Sequence, residues 1–301
     1  MIAPNQIIHA DAVGGLKTIP DGVVNTCITS PPYYRLRDYG VDGQIGLEDT
    51  PEAYIERLVT VFREVKRVLR DDGTLWVVIN DSYNGSGKGG GNKNTAVCTK
   101  PTSLASMKPK DMIGIPWMLA FALRDDGWYL RNDIIWQKPN AMPESVCDRC
   151  TNSYEHIFLL SKSKTYYFDN ESIKEPASSY GDDKYNGDIR YGGKKYTADP
   201  TVFNRTKSGK MYHKREKRNK RDVWTVATTP YSKAHFATFP IELIRPCILA
   251  GCPVGGIVLD PFIGSGTTAA VAKMLGRNYI GIELNLEYIK LANERINGVT
   301  T

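Results

Sequence analysis

Two short stretches of the chain combine residue types that could do chemistry. The first is Thr29-Ser30-Pro31-Pro32-Tyr33, which directly follows an apolar run from Val23 to Thr29. Consecutive prolines lack N–H donors and fix φ, so they hold the preceding carbonyls rigid and pointing outward. A serine hydroxyl beside such a carbonyl offers two acceptors to an amino group, and Tyr33 offers a flat face to a base. The same residues also suit a plain turn closing a strand.

The second stretch, Leu259 to Thr268, reads LDPFIGSGTT and lies between an apolar strand and a helix. That is the setting of a glycine-rich cofactor loop. Gly264 and Gly266 let the backbone approach a ligand closely, Asp260 adds a polar anchor and Phe262 an apolar wall. Glu283 ends the next strand, where an acid can accept hydrogen bonds from ribose hydroxyls. The loop is neither G-x-G-x-x-G nor the Gly-Lys-Ser/Thr of a phosphate loop, which counts against a nicotinamide dehydrogenase or an NTPase.

The elements that position these loops follow a βαβ grammar, which implies a mostly parallel sheet covered on both faces. Strands are expected at Gln6 to Ala10, Val23 to Thr29 and Thr74 to Ile79. Between the last two, Thr50-Pro51 caps a helix whose apolar residues from Tyr54 to Leu69 fall at helical spacing, with Asp72-Gly73 as its stop. Asn84 to Ser106, centred on GSGKGGGNKN, is expected to be a mobile loop. A helix from Ile115 to Arg124 and strands at Trp128 to Gln137 and Tyr154 to Ser161 follow. The last third gives helices at Phe239 to Ala250, Thr267 to Leu275 and Leu286 to Ile296, and strands at Gly256 to Asp260 and Tyr279 to Glu283. One sheet assembled from both ends of the chain is expected. The catalytic and cofactor domain then covers 1–170 and 225–301, and 171–224 is an inserted polar region.

With 301 residues and 41% apolar composition there is material for a real core. No signal-peptide pattern and no apolar run of about 20 residues is present, so a soluble, intracellular protein with no membrane partner is expected. Cys147-x-x-Cys150 has half of a zinc spacing but no matching histidine pair, so no metal is expected and the six cysteines read as reduced thiols. Net charge is +6, and the stretch from Arg205 to Arg221 holds nine basic residues against one acidic. Nucleic acid is the leading partner for such a block, a solvated loop the alternative. The region from Tyr180 to Trp224 is therefore the candidate for target recognition, with Lys214, Arg215, Lys217, Arg218, Lys220 and Arg221 gripping phosphate.

Together, the SPPY motif near the N-terminus, the cofactor loop near the C-terminus and the basic region between them resemble the amino-methylating DNA methyltransferases, in the circularly permuted order of their β group. The resemblance implies a Rossmann-like fold, S-adenosyl-L-methionine as cofactor and double-stranded DNA as substrate. It admits a homodimer and a cognate restriction endonuclease as partners, and a bacterial or phage cytoplasmic setting. Ser30, Pro31, Pro32 and Tyr33 become the catalytic residues. Cofactor contacts extend to Pro261 and Thr267, to His235, Thr238 and Phe239 in the segment HFATFP, and to Asp11 near the adenine. Serine at the first motif position leans toward cytosine N4, with adenine N6 as the alternative and RNA or a protein amide as more distant ones. A cytosine-C5 enzyme would need a nucleophilic thiolate, whereas Cys247 of the one Pro-Cys pair reads as a core residue.

Overall fold

A computed structural model describes residues 3–85, 104–177, 217–228 and 239–299, and the backbone alone at 189–191 and 194–196. In chain order the elements are β1 (Gln6–His9), α1 (Ala12–Lys17), β2 (Val24–Thr29), α2 (Pro51–Val68), β3 (Leu69–Ile79), α3 (Ile115–Asp125), β4 (Tyr129–Gln137) and β5 (Tyr154–Ser161). The short strands β6 (Glu175–Pro176), β7 (Ile189–Tyr191), β8 (Lys194–Tyr196) and β9 (Lys217–Arg218) follow. The chain continues with β10 (Val223–Thr225), α4 (Ile241–Gly251), β11 (Ile257–Asp260), α5 (Thr267–Met274), β12 (Asn278–Glu283) and α6 (Leu286–Asn297). Among the described residues no helix is long and apolar enough to cross a membrane.

The chain divides into two compact units, residues 1–169 with 222–301, and residues 170–221. The first holds an eight-stranded sheet in the order β1-β12-β11-β2-β3-β5-β4-β10. Only β5 runs antiparallel to its neighbours, β3 and β4; every other pairing is parallel. This is the mostly parallel α/β sheet expected from the sequence, assembled from both chain ends. The inserted region is shorter than 171–224: Val223–Thr225 pairs with Ile135–Gln137 and buries Trp224 in the main sheet. In the second unit β6 pairs with β9 and β7 with β8, both antiparallel.

Local chemistry explains the frame. The Thr50 hydroxyl accepts from the Ala53 N–H at 3.2 Å and Pro51 occupies the first turn, so α2 starts where the cap signal stands. Its end differs from expectation. The helix closes at Val68 and Leu69 is already extended, while Asp72-Gly73 lies inside β3. Opposite that stretch the register against β2 jumps from Val24–Leu69 to Thr26–Thr74, a bulge that absorbs the glycine. The glycine-rich stretch has an anchor that its composition hid. Buried Asn84 donates to the Met107 carbonyl at 2.8 Å and accepts from the Leu104 N–H at 2.7 Å; residues 86–103 lie outside the described residues.

Alternation along β3 assigns its two faces. Leu75, Val77 and Ile79 join the cluster built with α1, α2 and α3, while Thr74 and Trp76 face Gly251 of α4. There Thr26 and Thr74 share a hydroxyl–hydroxyl bond at 2.9 Å, and the Trp76 indole donates to Thr74 at 3.3 Å. A Cβ on Gly251 would lie 2.8 Å from both threonine hydroxyls, so only glycine lets α4 close on this polar knot. Gly251→Ala is therefore expected to cost roughly 1–3 kcal/mol and lower the thermal midpoint by several degrees in a calorimetric scan. An unchanged midpoint would contradict this packing.

Candidate active site

The sheet order reverses its sense between β2 and β11. From β2 the chain passes through α2 to β3 on one side, and from β11 through α5 to β12 on the other. Such a switch opens a crevice at the carboxyl ends of the strands. A cavity of about 780 Å³ lies there, with walls from Ser30 to Tyr33 on one side and Pro261, Phe262, Gly264, Thr267 and Glu283 on the other. Both sequence motifs thus face one cavity, although they are separated by more than two-thirds of the chain.

Asp260 fastens them together from beneath. It is 1% exposed. One carboxylate oxygen accepts from the Thr29 hydroxyl at 2.7 Å and the Phe262 N–H at 3.1 Å, and the other accepts from the Thr268 hydroxyl at 2.6 Å. Burial pushes its pKa up to about 6, against the pull of Thr268, Thr29 and the Phe262 amide, with Glu283 adding to the rise. Asp260 does not line the cavity; its role here is to hold the residue before Ser30 against the start of the glycine loop.

On the β11 side the two glycines differ. Gly264 has φ +51° and an added Cβ would meet nothing nearer than the Phe262 carbonyl at 4.0 Å, so the loop backbone is open where it lines the cavity. Gly266, at φ +82°, instead backs onto α6, where a Cβ would come within 2.9 Å of the Ala292 Cα. The absence of a side chain at Gly266 is thus required by the packing of the loop against α6. Glu283 accepts from the Gly264 N–H at 2.9 Å and the Asn285 N–H at 2.8 Å through different oxygens, leaving acceptor capacity on each. Burial raises its pKa, opposed by those amides. Asp11 caps α1 by accepting from the Gly14 N–H at 2.9 Å and also lines the cavity, as does Phe239. Thr267 accepts from Arg295 at 2.6 Å. An open loop backbone, two carboxylates with spare acceptors and the Phe239 and Phe262 rings suit a nucleoside with a ribose diol. His235 and Thr238 lie outside the described residues.

On the β2 side the atoms of the Ser30–Tyr33 loop have separate partners. The Tyr54 hydroxyl of α2 donates to the Pro32 carbonyl at 2.8 Å, whereas among the described residues the Pro31 carbonyl accepts no hydrogen bond. The Ser30 hydroxyl donates toward the Tyr33 oxygen at 3.4 Å, and the Tyr33 hydroxyl donates to Glu155 of β5 at 2.5 Å. Burial, and then the charge and hydrogen bond of Glu155, hold the Tyr33 phenol well above its usual range, so it stays protonated. Lys138 donates to the other oxygen of Glu155. The sequence pointed to Ser30–Tyr33 but not to Tyr54 or Lys138, and it left Glu155 without a role. The available signal was an acid at the second position of a mostly apolar strand, YEHIFLLS.

In the second unit, Arg218 and Arg221 each donate to one oxygen of Glu175 at 2.9 Å. Lys217 pairs with Pro176 across the β6–β9 ladder, and Lys220 follows just beyond β9. Lys214 and Arg215 lie outside the described residues.

The Asp260 geometry has a consequence for stability. A carboxyl whose pKa is higher folded than unfolded favours the folded state below the unfolded value, and that contribution is lost as pH rises through about 6. The wild-type melting temperature, measured without cofactor and relative to Asp260→Asn, should therefore improve as pH falls from 7.5 to 4.5. A pH-independent difference would show that Asp260 titrates normally.

The family model described as a DNA methylase, covering N6- and N4-directed enzymes, matches residues 24–294. Type II methyltransferase M.Cfr9I of Citrobacter freundii is 48% identical over 300 residues, covering 98% of this chain and 88% of the relative. M.SmaI of Serratia marcescens is 49% identical over 296 residues, covering 97% and 90%. In fold the chain resembles the cytosine-N4-specific PvuII DNA methyltransferase, with TM-score 0.66, 16% identity and coverage of 100% and 89%. It also resembles a DNA modification methylase of Thermus thermophilus complexed with S-adenosyl-L-methionine, with TM-score 0.61, 22% identity and coverage of 98% and 97%. With both motif loops on one cavity and full-length relatives of this kind, the chain belongs to the N4/N6 amino-directed type II DNA methyltransferases, which are S-adenosyl-L-methionine-dependent.

Proposed function

We propose that this enzyme methylates the N4 amino group of a cytosine flipped out of double-stranded DNA. The observation that carries the amino-group part of this reading is the direction of the hydroxyls at the Ser30–Tyr33 loop, while the choice of cytosine rests on Ser30 being a neutral acceptor. Tyr33 donates to Glu155 and Ser30 donates toward Tyr33, so the Ser30 proton points away and its lone pairs are left for an incoming N–H. The unengaged Pro31 carbonyl supplies a second acceptor beside it.

An aromatic amine is a poor nucleophile because its lone pair is delocalised into the ring. Ser30 Oγ and the Pro31 carbonyl, each accepting one N–H, draw the nitrogen toward tetrahedral geometry and localise that lone pair. The bound cofactor supplies an electrophilic methyl group. The Asp260 anchor holds the amine acceptors and the cofactor loop at fixed spacing, and such positioning supplies much of the rate. A base must leave the helix to reach a cavity of this kind. Ser30 is a neutral acceptor where adenine-directed relatives lean to aspartate, and this favours cytosine.

Residues Asn170–Arg221 support a target-recognition role. Lys217, Arg218, Lys220 and Arg221 would grip phosphate, with Glu175 orienting the two arginines. The type II relatives support a place beside a cognate restriction endonuclease; Asp11, His235, Thr238, Phe239 and Glu283 are the proposed cofactor contacts.

The test is incubation with unmethylated phage DNA and isotopically labelled S-adenosyl-L-methionine, then digestion to nucleosides and mass spectrometry. Labelled N4-methylcytosine is expected; labelled N6-methyladenine would overturn the base assignment and leave the family intact. Ser30→Ala should retain cofactor affinity and lower kcat on the order of tenfold to a hundredfold.

A further inference from the structure

Lys138 and Glu155 belong to neither sequence motif, yet both line the cavity beside Ser30 and Tyr33. Their side chains are 17% and 9% exposed. The Lys138 backbone N–H donates to the Ser153 carbonyl at 2.8 Å, which fixes the end of β4. Its ammonium lies 4.5 Å from the centre of the Trp136 ring, another cavity wall, and is bonded to Glu155. The other oxygen of Glu155 holds the Tyr33 hydroxyl. One carboxylate therefore sets the catalytic tyrosine and the lysine in a fixed relation. An ion pair taken out of water is weak support for stability, because desolvation offsets most of the attraction. An ammonium has three N–H donors, and among the described residues Lys138 donates one of them, to Glu155.

We propose that Lys138 is a specificity-determining residue that donates hydrogen bonds to the ring edge of the target base, with Glu155 as its positioning residue. The inference deepens the cytosine reading and rests on it. Next to its amino group cytosine carries two acceptors in a row, N3 and O2. Adenine carries one, N1, followed by a C–H. Two N–H groups on one ammonium that no described residue takes up match the cytosine edge and leave a donor unsatisfied against adenine, which is the kind of mismatch that discriminates strongly. Glu155 balances the lysine charge, so the edge is read by hydrogen bonding without a net positive charge that would draw the amine lone pair further into the ring.

The experiment is a cycle between protein and base. The methylated sequence is first located by sequencing DNA treated with wild-type enzyme. Duplexes are then made with cytosine or 3-deazacytosine at the target; the analogue keeps the amino group and O2 but replaces N3 by C–H. Affinity is measured by fluorescence anisotropy in the presence of S-adenosylhomocysteine, so that no turnover is needed. Wild type is expected to bind the cytosine duplex roughly tenfold more tightly than the analogue. Lys138→Met, with a melting temperature near wild type, should bind both duplexes alike, and Lys138→Arg should recover part of the preference. If the Met variant does not fold, Lys138→Gln replaces it in the cycle. A wild type indifferent to the analogue, or a folded variant that discriminates as wild type does, overturns the role of Lys138 alone. Labelling of adenine N6 by wild type overturns the cytosine reading and this inference together.

Discussion

Asp260 is a carboxylate removed from water at the end of β11, and its two oxygens accept from Thr29 of β2, Thr268 of α5 and the amide of Phe262. A buried carboxylate without such donors would be strongly disfavoured, so the three partners and the acid require one another. That requirement fixes where β2 ends relative to β11. The Ser30–Tyr33 loop follows immediately from one partner, and the glycine loop from the acid itself. Both loops are thereby brought to the walls of one cavity.

The sheet order makes this possible. Residues near the two chain ends pair directly, Gln6–His9 with Ile280–Glu283 and Val258–Leu259 with Thr26–Cys27. Parallel neighbours do not need to be neighbours in sequence when helices carry the crossovers, so loops far apart in the chain reach one crevice. Glycines at close approaches complete the assembly. Gly251 brings α4 onto β2 and β3, and Gly266 brings the start of α5 onto α6.

The one antiparallel strand of the eight-stranded sheet adds what its parallel part cannot. β5 enters the sheet from the opposite direction, so its first residues, not its last, lie at the carboxyl edge of β3. Glu155 is thereby delivered to the cavity from the beginning of a strand, opposite Trp136 of β4. From there it reaches both Tyr33 and Lys138, and the hydroxyl chain that orients Ser30 ends on it.

Much of this protein was already legible in local sequence. Thr50-Pro51 starts α2, the bounds of β5 stand where the apolar run places them, and the two motifs with their order along the chain name the family. These features depend on residues within one or two turns of each other, where cap chemistry and periodicity act directly. The end of α2 and the bulge at Asp72-Gly73 were misread because pairing with β2 outweighed a local stop signal. Only the tertiary structure decided that Gly266 packs against α6, that Asp260 joins the two loops, and that Tyr54 and Glu155 bond the Pro32 carbonyl and the Tyr33 hydroxyl, with Lys138 on Glu155. Each of those roles is a contact between residues far apart in the chain, and side-chain hydrogen bonds at that range leave no periodicity or spacing in the sequence to be read.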